Sequence, residues 1–125
     1  MAWKFKPAIP IYYQIVEEIT ARIFDGRYPP GGKIPSVREI AEEASVNPNT
    51  VQRAFVELES SGLVVTQRTA GRVVTSDEQV IAQARGAVAE KSVAEFIDGM
   101  RSKGLSIDDL IAILNTMKER TCDAK

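Results

Sequence analysis

The stretch Pro35–Gly62, PSVREIAEEASVNPNTVQRAFVELESSG, decides how this chain folds. Ser36 and Glu39 have the spacing of a capping box, in which the Ser hydroxyl satisfies an orphan N–H of the first turn and the Glu reaches back to the cap. Val37, Ile40, Ala41 and Ala44 then fall on one face of a short helix. Asn47 followed by Pro48 restarts a helix, because Asn caps well and the first helical position needs no N–H. Val51, Ala54, Phe55 and Leu58 follow at the spacing of a buried stripe, and Gly62 supplies the left-handed stop. Two amphipathic helices with about three residues between them make a helix-turn-helix.

The second helix carries the chemistry. With the apolar stripe as its core face, a rotation of about 100° per residue places Asn49 and Arg53 on the opposite side, flanked by Thr50 and Gln52. Asn and Gln can pair bidentately with adenine, Arg with guanine, and Thr with phosphate or a thymine methyl. No carboxylate lies between Asn47 and Val56; Glu57 and Glu59 come only later. The N-terminal half is the half that a recognition helix points into the major groove. Ser36, at the start of the first helix of the pair, can donate to a phosphate as well as cap. The same residues would also make an ordinary solvated face, so the helix pair alone does not name a function.

Upstream, Met1–Ile9 is a short arm holding Trp3, Lys4, Phe5 and Lys6. Pro10 opens a helix running to about Asp25, with Gly26 as its stop and Ile11, Ile15, Val16, Ile19 and Ile23 as its apolar stripe. Tyr12, Tyr13 and Phe24 read as core packing. Arg27–Lys33, RYPPGGK, is a loop dense in Pro and Gly. Downstream of Gly62 the pattern becomes extended: Leu63–Gln67 and Arg72–Thr75 are β-branched runs flanking Arg68-Thr69-Ala70-Gly71, a turn with Gly placed for positive φ. A hairpin after a helix-turn-helix is a wing. Its tip brings Arg68 and Arg72 together, which suits phosphate or minor-groove contact.

The tail, Ser76–Lys125, reads as two helices. Ser76 with Gln79, or Thr75 with Glu78, caps the first, which carries Val80, Ile81, Ala84, Ala87, Val88, Ala94, Phe96, Ile97 and Met100. Ser92 with Glu95 is a further cap inside it and marks a bend near Glu90–Ser92. Gly104 stops it, and Ser106 with Asp109 begins a last helix bearing Ile107, Leu110, Ile111, Ile113, Leu114 and Met117. Two such helices cannot bury both stripes against each other alone, and they need another surface. A second copy of the tail is favoured over the preceding domain, because short helical DNA-binding proteins usually dimerise to read twofold sites.

Composition narrows the function. At 125 residues, 44% hydrophobic and 26% charged, the chain has the makeup of one soluble domain with a small appendage, divided as 1–75 and 76–125. No run reaches the ~18 apolar residues of a membrane span, and the N-terminus lacks a signal peptide's apolar run. One cysteine, Cys122, excludes an internal disulfide, so the expected compartment is a reducing cytoplasm. With no histidine, a His-based triad or acid–base pair is impossible, and with one Cys a structural zinc site is not expected. No phosphate-cradling glycine motif appears. The expectation is no enzyme, no catalytic residue, no cofactor and no metal. Net charge is −1; residues 1–75 hold nine Lys/Arg against eight Asp/Glu, and residues 76–125 seven against nine. A basic footprint must therefore come from arrangement rather than excess.

The segments PIYYQIVEEI and IFDGRYPPGGKIPSVREIAEEASVNPNTVQRAFVELESSG, with the wing after them, resemble the winged-helix DNA-binding domain of the GntR family of bacterial transcriptional regulators. The resemblance covers about Ile9–Thr75, and its most specific parts are PGGKIPSVREIA and VNPNTVQRAFVELESSG. The short tail is similar to that of the small YtrA-type branch, which lacks a large effector domain. The resemblance implies that Arg38 holds phosphate or a guanine. It also implies that Asn47, Asn49, Thr50, Gln52 and Arg53 form the recognition surface, with Arg68 and Thr69 at the wing tip, and that the tail dimerises. The family's wing usually has glycine immediately after the basic tip and again two residues on; here Thr69 replaces the first and Gly71 keeps the second.

The expected fold class is mainly α with a small β-hairpin, a winged helix-turn-helix followed by a two-helix C-terminal tail. The expected function is a sequence-specific DNA-binding transcriptional regulator, a repressor, binding double-stranded DNA at a twofold operator as a homodimer through its C-terminal helices. A small-molecule effector stays open as a further partner, and a dimer-interface pocket is the place for one. The alternative is a winged-helix protein-interaction module without direct DNA binding. Near-neutral charge favours it, and Asn49, Thr50 and Arg53, standing where apolar anchors would be needed, oppose it.

Overall fold

Pro10 closes the arm in an extended conformation (φ −54°, ψ 138°), and helix α1 (Ile11–Phe24) starts behind it in the computed structural model, which describes residues 3–123. Helices α2 (Val37–Ala44) and α3 (Pro48–Ser60) follow, then strands β1 (Val64–Gln67) and β2 (Gly71–Val74), then α4 (Glu78–Arg101) and α5 (Ile107–Asp123). The order is the winged helix-turn-helix with a two-helix tail that the residue pattern predicts.

The local signals act as expected. Ser36 Oγ accepts from the Glu39 N–H at 3.1 Å while Glu39 Oε1 accepts from the Ser36 N–H at 3.0 Å, completing the capping box. Asn47 caps α3 through a 2.8 Å bond from the Asn49 N–H, with Pro48 in the first turn. Between these helices Ser45 adopts the left-handed conformation (φ 58°, ψ 49°) as the C-cap of α2. It is the one non-glycine residue with positive φ among the described residues.

Burial follows the stripes. Ile15, Ile19 and Ile23 of α1, Ile40 and Ala41 of α2, and Val51, Ala54, Phe55 and Leu58 of α3 form one core with Ile34, Leu63, Val64 and Val74. Ile11 and Tyr13, by contrast, are exposed: Ile11 is the first residue of α1, and Tyr13 lies off the Ile15–Ile19–Ile23 stripe. The hairpin pairs antiparallel from Val64↔Val74 to Gln67↔Gly71, and Gly71 takes φ 77°. The Pro/Gly loop adds a short third edge: Lys33 bridges Val73, and the Ile34 N–H donates to the Arg72 carbonyl at 3.1 Å. Strand β2 is thereby hydrogen-bonded on both sides, which anchors the wing.

The chain forms two compact units, Met1–Arg85 and Gly86–Lys125. The first extends beyond the 75/76 boundary expected from the sequence. Ile81 belongs to its core, with Val80 and Ala84 packed beside it, so the opening turns of α4 complete the winged-helix unit. Asp77 caps α4 through a 3.0 Å bond from the Gln79 N–H, and Thr75 Oγ1 accepts from the Asp77 N–H; the expected Ser76/Gln79 and Thr75/Glu78 boxes are not used.

In the second unit α4 is continuous through Glu90–Ser92, where a bend is expected from Ser92. One side-chain cap does not displace an unbroken ladder of backbone bonds flanked by alanines. Gly104 ends the helix at φ 87°, and Ser106 and Asp109 make a reciprocal capping box at 3.1 and 2.9 Å. Leu110 is 5% exposed, whereas Val88, Val93, Phe96, Ile111, Ile113, Leu114 and Met117 are all exposed. No helix is long and apolar enough to cross a membrane among the described residues.

Candidate nucleic-acid interface

Capping and packing together aim the first turns of α3. Burial of Val51, Ala54, Phe55 and Leu58 on the core side leaves Asn49, Gln52 and Arg53 exposed and Thr50 half-buried at its edge. Asn47 lies at the same end, its carbonyl oxygen occupied by the cap bond and its amide N–H groups left as donors. Ile11 and Tyr12, at the start of α1, line an open cleft of about 360 Å³ with Asn49, Thr50 and Arg53. The Arg53 guanidinium carbon stands 3.9 Å from the centroid of the Tyr12 ring. Tyr12, expected as core, is a half-buried wall of this cleft instead; it shares the helical face of Ile15 and Ile19 but lies one turn before the buried stripe begins.

Ser36 and Arg38 stand at the N-terminal end of α2, both exposed. The Ser36 oxygen accepts from its own helix, and its hydroxyl hydrogen remains available to an outside acceptor. The hydrogen bond from the Ser36 N–H holds the Glu39 carboxyl below the ordinary glutamate range, so the cap carries a charge at neutral pH.

The wing divides its basic residues. Arg68 and Thr69 are exposed at the tip. Arg72 is not with them. Its Nε donates to Glu59 Oε1 of α3 at 2.7 Å, its guanidinium lies 4.8 Å from the Phe55 ring centroid, and its side chain is 25% exposed. Thr66 Oγ1 donates to the other Glu59 oxygen at 3.1 Å. These contacts turn Arg72 toward α3, so its guanidinium is engaged by Glu59 instead of standing free at the tip as expected. Arg72 braces the wing. The Arg72 hydrogen bond, seconded by that of Thr66, holds Glu59 below the ordinary range.

Ion pairing sorts the remaining charges in the same way. Arg22 donates to Glu18 and Glu43 at 2.9 and 2.8 Å, and Arg27 pairs with Asp25 at 2.8 Å. Trp3 Nε1 donates to Glu43 at 2.6 Å, with the Arg22 guanidinium 4.8 Å from its ring centroid, which ties the arm to α2. Among the described residues Arg38, Arg53 and Arg68 have no ion-pair partner. Arg22, Arg27 and Arg72 are thus neutralised by carboxylates, whereas among the described residues Arg38, Arg53 and Arg68 on the α2–α3–wing surface, like Arg85, Arg101 and Arg120 elsewhere, are not. Near-zero net charge is therefore compatible with a locally basic face. The signal that sequence reasoning missed is the Glu59–Arg72 pair, which no helical or strand period relates.

Comparison with known proteins agrees with this architecture. The model for the family described as "Bacterial regulatory proteins, gntR family" matches residues 11–74. The chain is similar to the HTH-type transcriptional repressor YtrA of Bacillus subtilis (strain 168), at 29% identity over 121 residues, 96% of this chain and 91% of that protein. It is similar to a solved GntR family transcriptional regulator from Listeria monocytogenes, with a TM-score of 0.83 and 38% identity over 90% of this chain and 98% of that one. Over 60% of its length it is also similar to AraR(DBD) in complex with operator ORX1, with a TM-score of 0.55 and 29% identity, covering 95% of that chain.

Proposed function

The chain belongs to the gntR family of bacterial regulatory proteins, in its short YtrA-type branch, and we propose that it represses transcription as a cytoplasmic homodimer on a twofold DNA operator. The family's members are transcription regulators rather than enzymes. The observation that carries the reading is the first two turns of α3. They present Asn49, Gln52 and Arg53 exposed, with Arg53 free of any carboxylate among the described residues. In this reading α3 enters the major groove with Asn47 and Thr50 at its edge, Ser36 and Arg38 hold phosphate beside it, and Arg68 and Thr69 approach the backbone or minor groove. Arg72 acts at one remove, holding the wing. The operator complex of the similar AraR domain supports the DNA reading. The exposed apolar faces of the second unit support association through it.

The test is selection of bound duplexes from a randomised double-stranded library by the full-length chain, followed by a salt titration on the selected sequence. The expected product is a twofold site whose affinity falls as salt rises. Arg53→Ala should then lose roughly 1–3 kcal/mol on that site and less on random duplex. Enrichment of no sequence, together with salt-insensitive binding, would instead leave the protein-interaction module as the reading.

A further inference from the structure

Five arginine–aromatic contacts occur among the described residues: Arg22 with Trp3 and with Tyr28, Arg53 with Tyr12, Arg72 with Phe55, and Arg85 with Phe24. In all but one the guanidinium also has an oxygen acceptor: Glu18 and Glu43 for Arg22, Glu59 for Arg72, and the Phe24 carbonyl for Arg85. Arg53 is the exception. Among the described residues it has a ring at 3.9 Å, the shortest of these distances, and no oxygen acceptor. Glu57, one turn further along α3, makes no ion pair with it.

We infer that Tyr12 is a positioning residue for Arg53, fixing the direction of the guanidinium over the recognition surface while leaving its hydrogen-bond donors free. This rests on the reading of Arg53 as a base-contacting residue. A carboxylate partner would hold an arginine equally well, but it would occupy the N–H groups that pair with guanine O6 and N7. A ring face attracts the charge through its quadrupole and presents no acceptor atom of that kind. An arginine on an open helix face otherwise samples many rotamers and loses that freedom on docking. Contact with a ring held by the packed helix α1 removes part of that loss beforehand. Specificity at the base pair read by Arg53 therefore depends on a residue of α1, an element outside the helix-turn-helix.

The experiment uses full-length chains and the duplex obtained by library selection with the unaltered protein. Each base pair of that duplex is substituted in turn, and the ratio of affinities for parent and substituted duplex is measured. Arg53→Ala identifies the base pair at which the ratio collapses. Tyr12→Leu should lower the ratio about two- to fivefold at that base pair and leave it unchanged elsewhere. Tyr12→Phe, which keeps the ring, should retain it, and Tyr12→Leu added to Arg53→Ala should change it no further. If Tyr12→Leu destabilises the fold, Tyr12→Met substitutes for it, with the melting temperature as the control. A ratio unchanged in Tyr12→Leu, or lowered as much by Phe as by Leu, overturns the positioning role alone. A flat profile for Arg53→Ala overturns the base-reading role beneath it.

Discussion

The Arg72 guanidinium of strand β2 hydrogen-bonds the Glu59 carboxylate of helix α3 at 2.7 Å, and this bond joins the wing to the helix proposed to enter the major groove. Both partners are partly shielded, at 25% and 33% side-chain exposure, and Thr66 holds the second carboxylate oxygen. Removing Arg72 should therefore lower stability by about 1 kcal/mol, more than an open surface pair would. Arg72→Ala should also weaken DNA binding evenly across sequences, because it loosens the wing without touching a base. A loss confined to one base pair would show Arg72 to be a direct contact instead.

Ser45 holds a left-handed conformation that a side chain disfavours, at a turn where it is exposed. Replacing it with glycine relieves a strain of roughly 1–2 kcal/mol and gives back part of it as unfolded-chain entropy. Ser45→Gly should raise stability by about 0.5–1 kcal/mol and leave affinity for the selected duplex unchanged. An equal or lower melting temperature would mean that the turn is not strained.

Acid sensitivity follows from the paired carboxylates. The Arg22 hydrogen bond, then that from Trp3, holds Glu43 below its ordinary value near 4.5, and the Arg72 bond does the same for Glu59. The Ser36 and Ser106 caps lower Glu39 and Asp109. A carboxylate whose folded pKa is depressed stabilises the fold at pH above its unfolded pKa, and loses that contribution as pH falls through the folded pKa. With no histidine, no side chain of ordinary pKa titrates between about pH 5 and 8. Denaturant midpoints should be flat across that interval and drop below about pH 4.5. A midpoint that moves between pH 6 and 8 would contradict this.

Association through the second unit is best tested away from Leu110. That residue is already 5% exposed in the single chain, so a charge there would damage the unit itself, whereas Leu114 is 55% exposed. Leu114→Glu should give monomers by sedimentation with helix content unchanged. A chain ended after Arg85, which keeps Ile81 in the core, should fold as a monomer too. Both should bind the twofold duplex about 10²–10⁴-fold more weakly than the intact chain, since the second half-site contact is no longer intramolecular. Tight binding by either variant would place the dimer contact elsewhere.

Much of this protein was legible in its residues because the deciding signals act locally. The Ser36–Glu39 and Ser106–Asp109 boxes close between residues three apart, and the Asn47 cap between residues two apart. The isoleucines of α1 and the Val51–Leu58 stripe follow the helical period, which selects the buried face whatever it packs against. Outward Asn49 and Arg53 follow as the complement of that face. What only the tertiary structure decided are the partners of side chains brought together from distant segments. Arg72 reaches Glu59 across thirteen positions of sequence and Trp3 reaches Glu43 across forty. Tyr12 leaves the core for Arg53, Lys33 pairs with Val73, and the first unit runs to Arg85 because Ile81 finds the core. Propensity, capping and period constrain a residue relative to its neighbours in the chain; which arginine meets a carboxylate, a ring or solvent depends on how α1, α3 and the hairpin are packed in space.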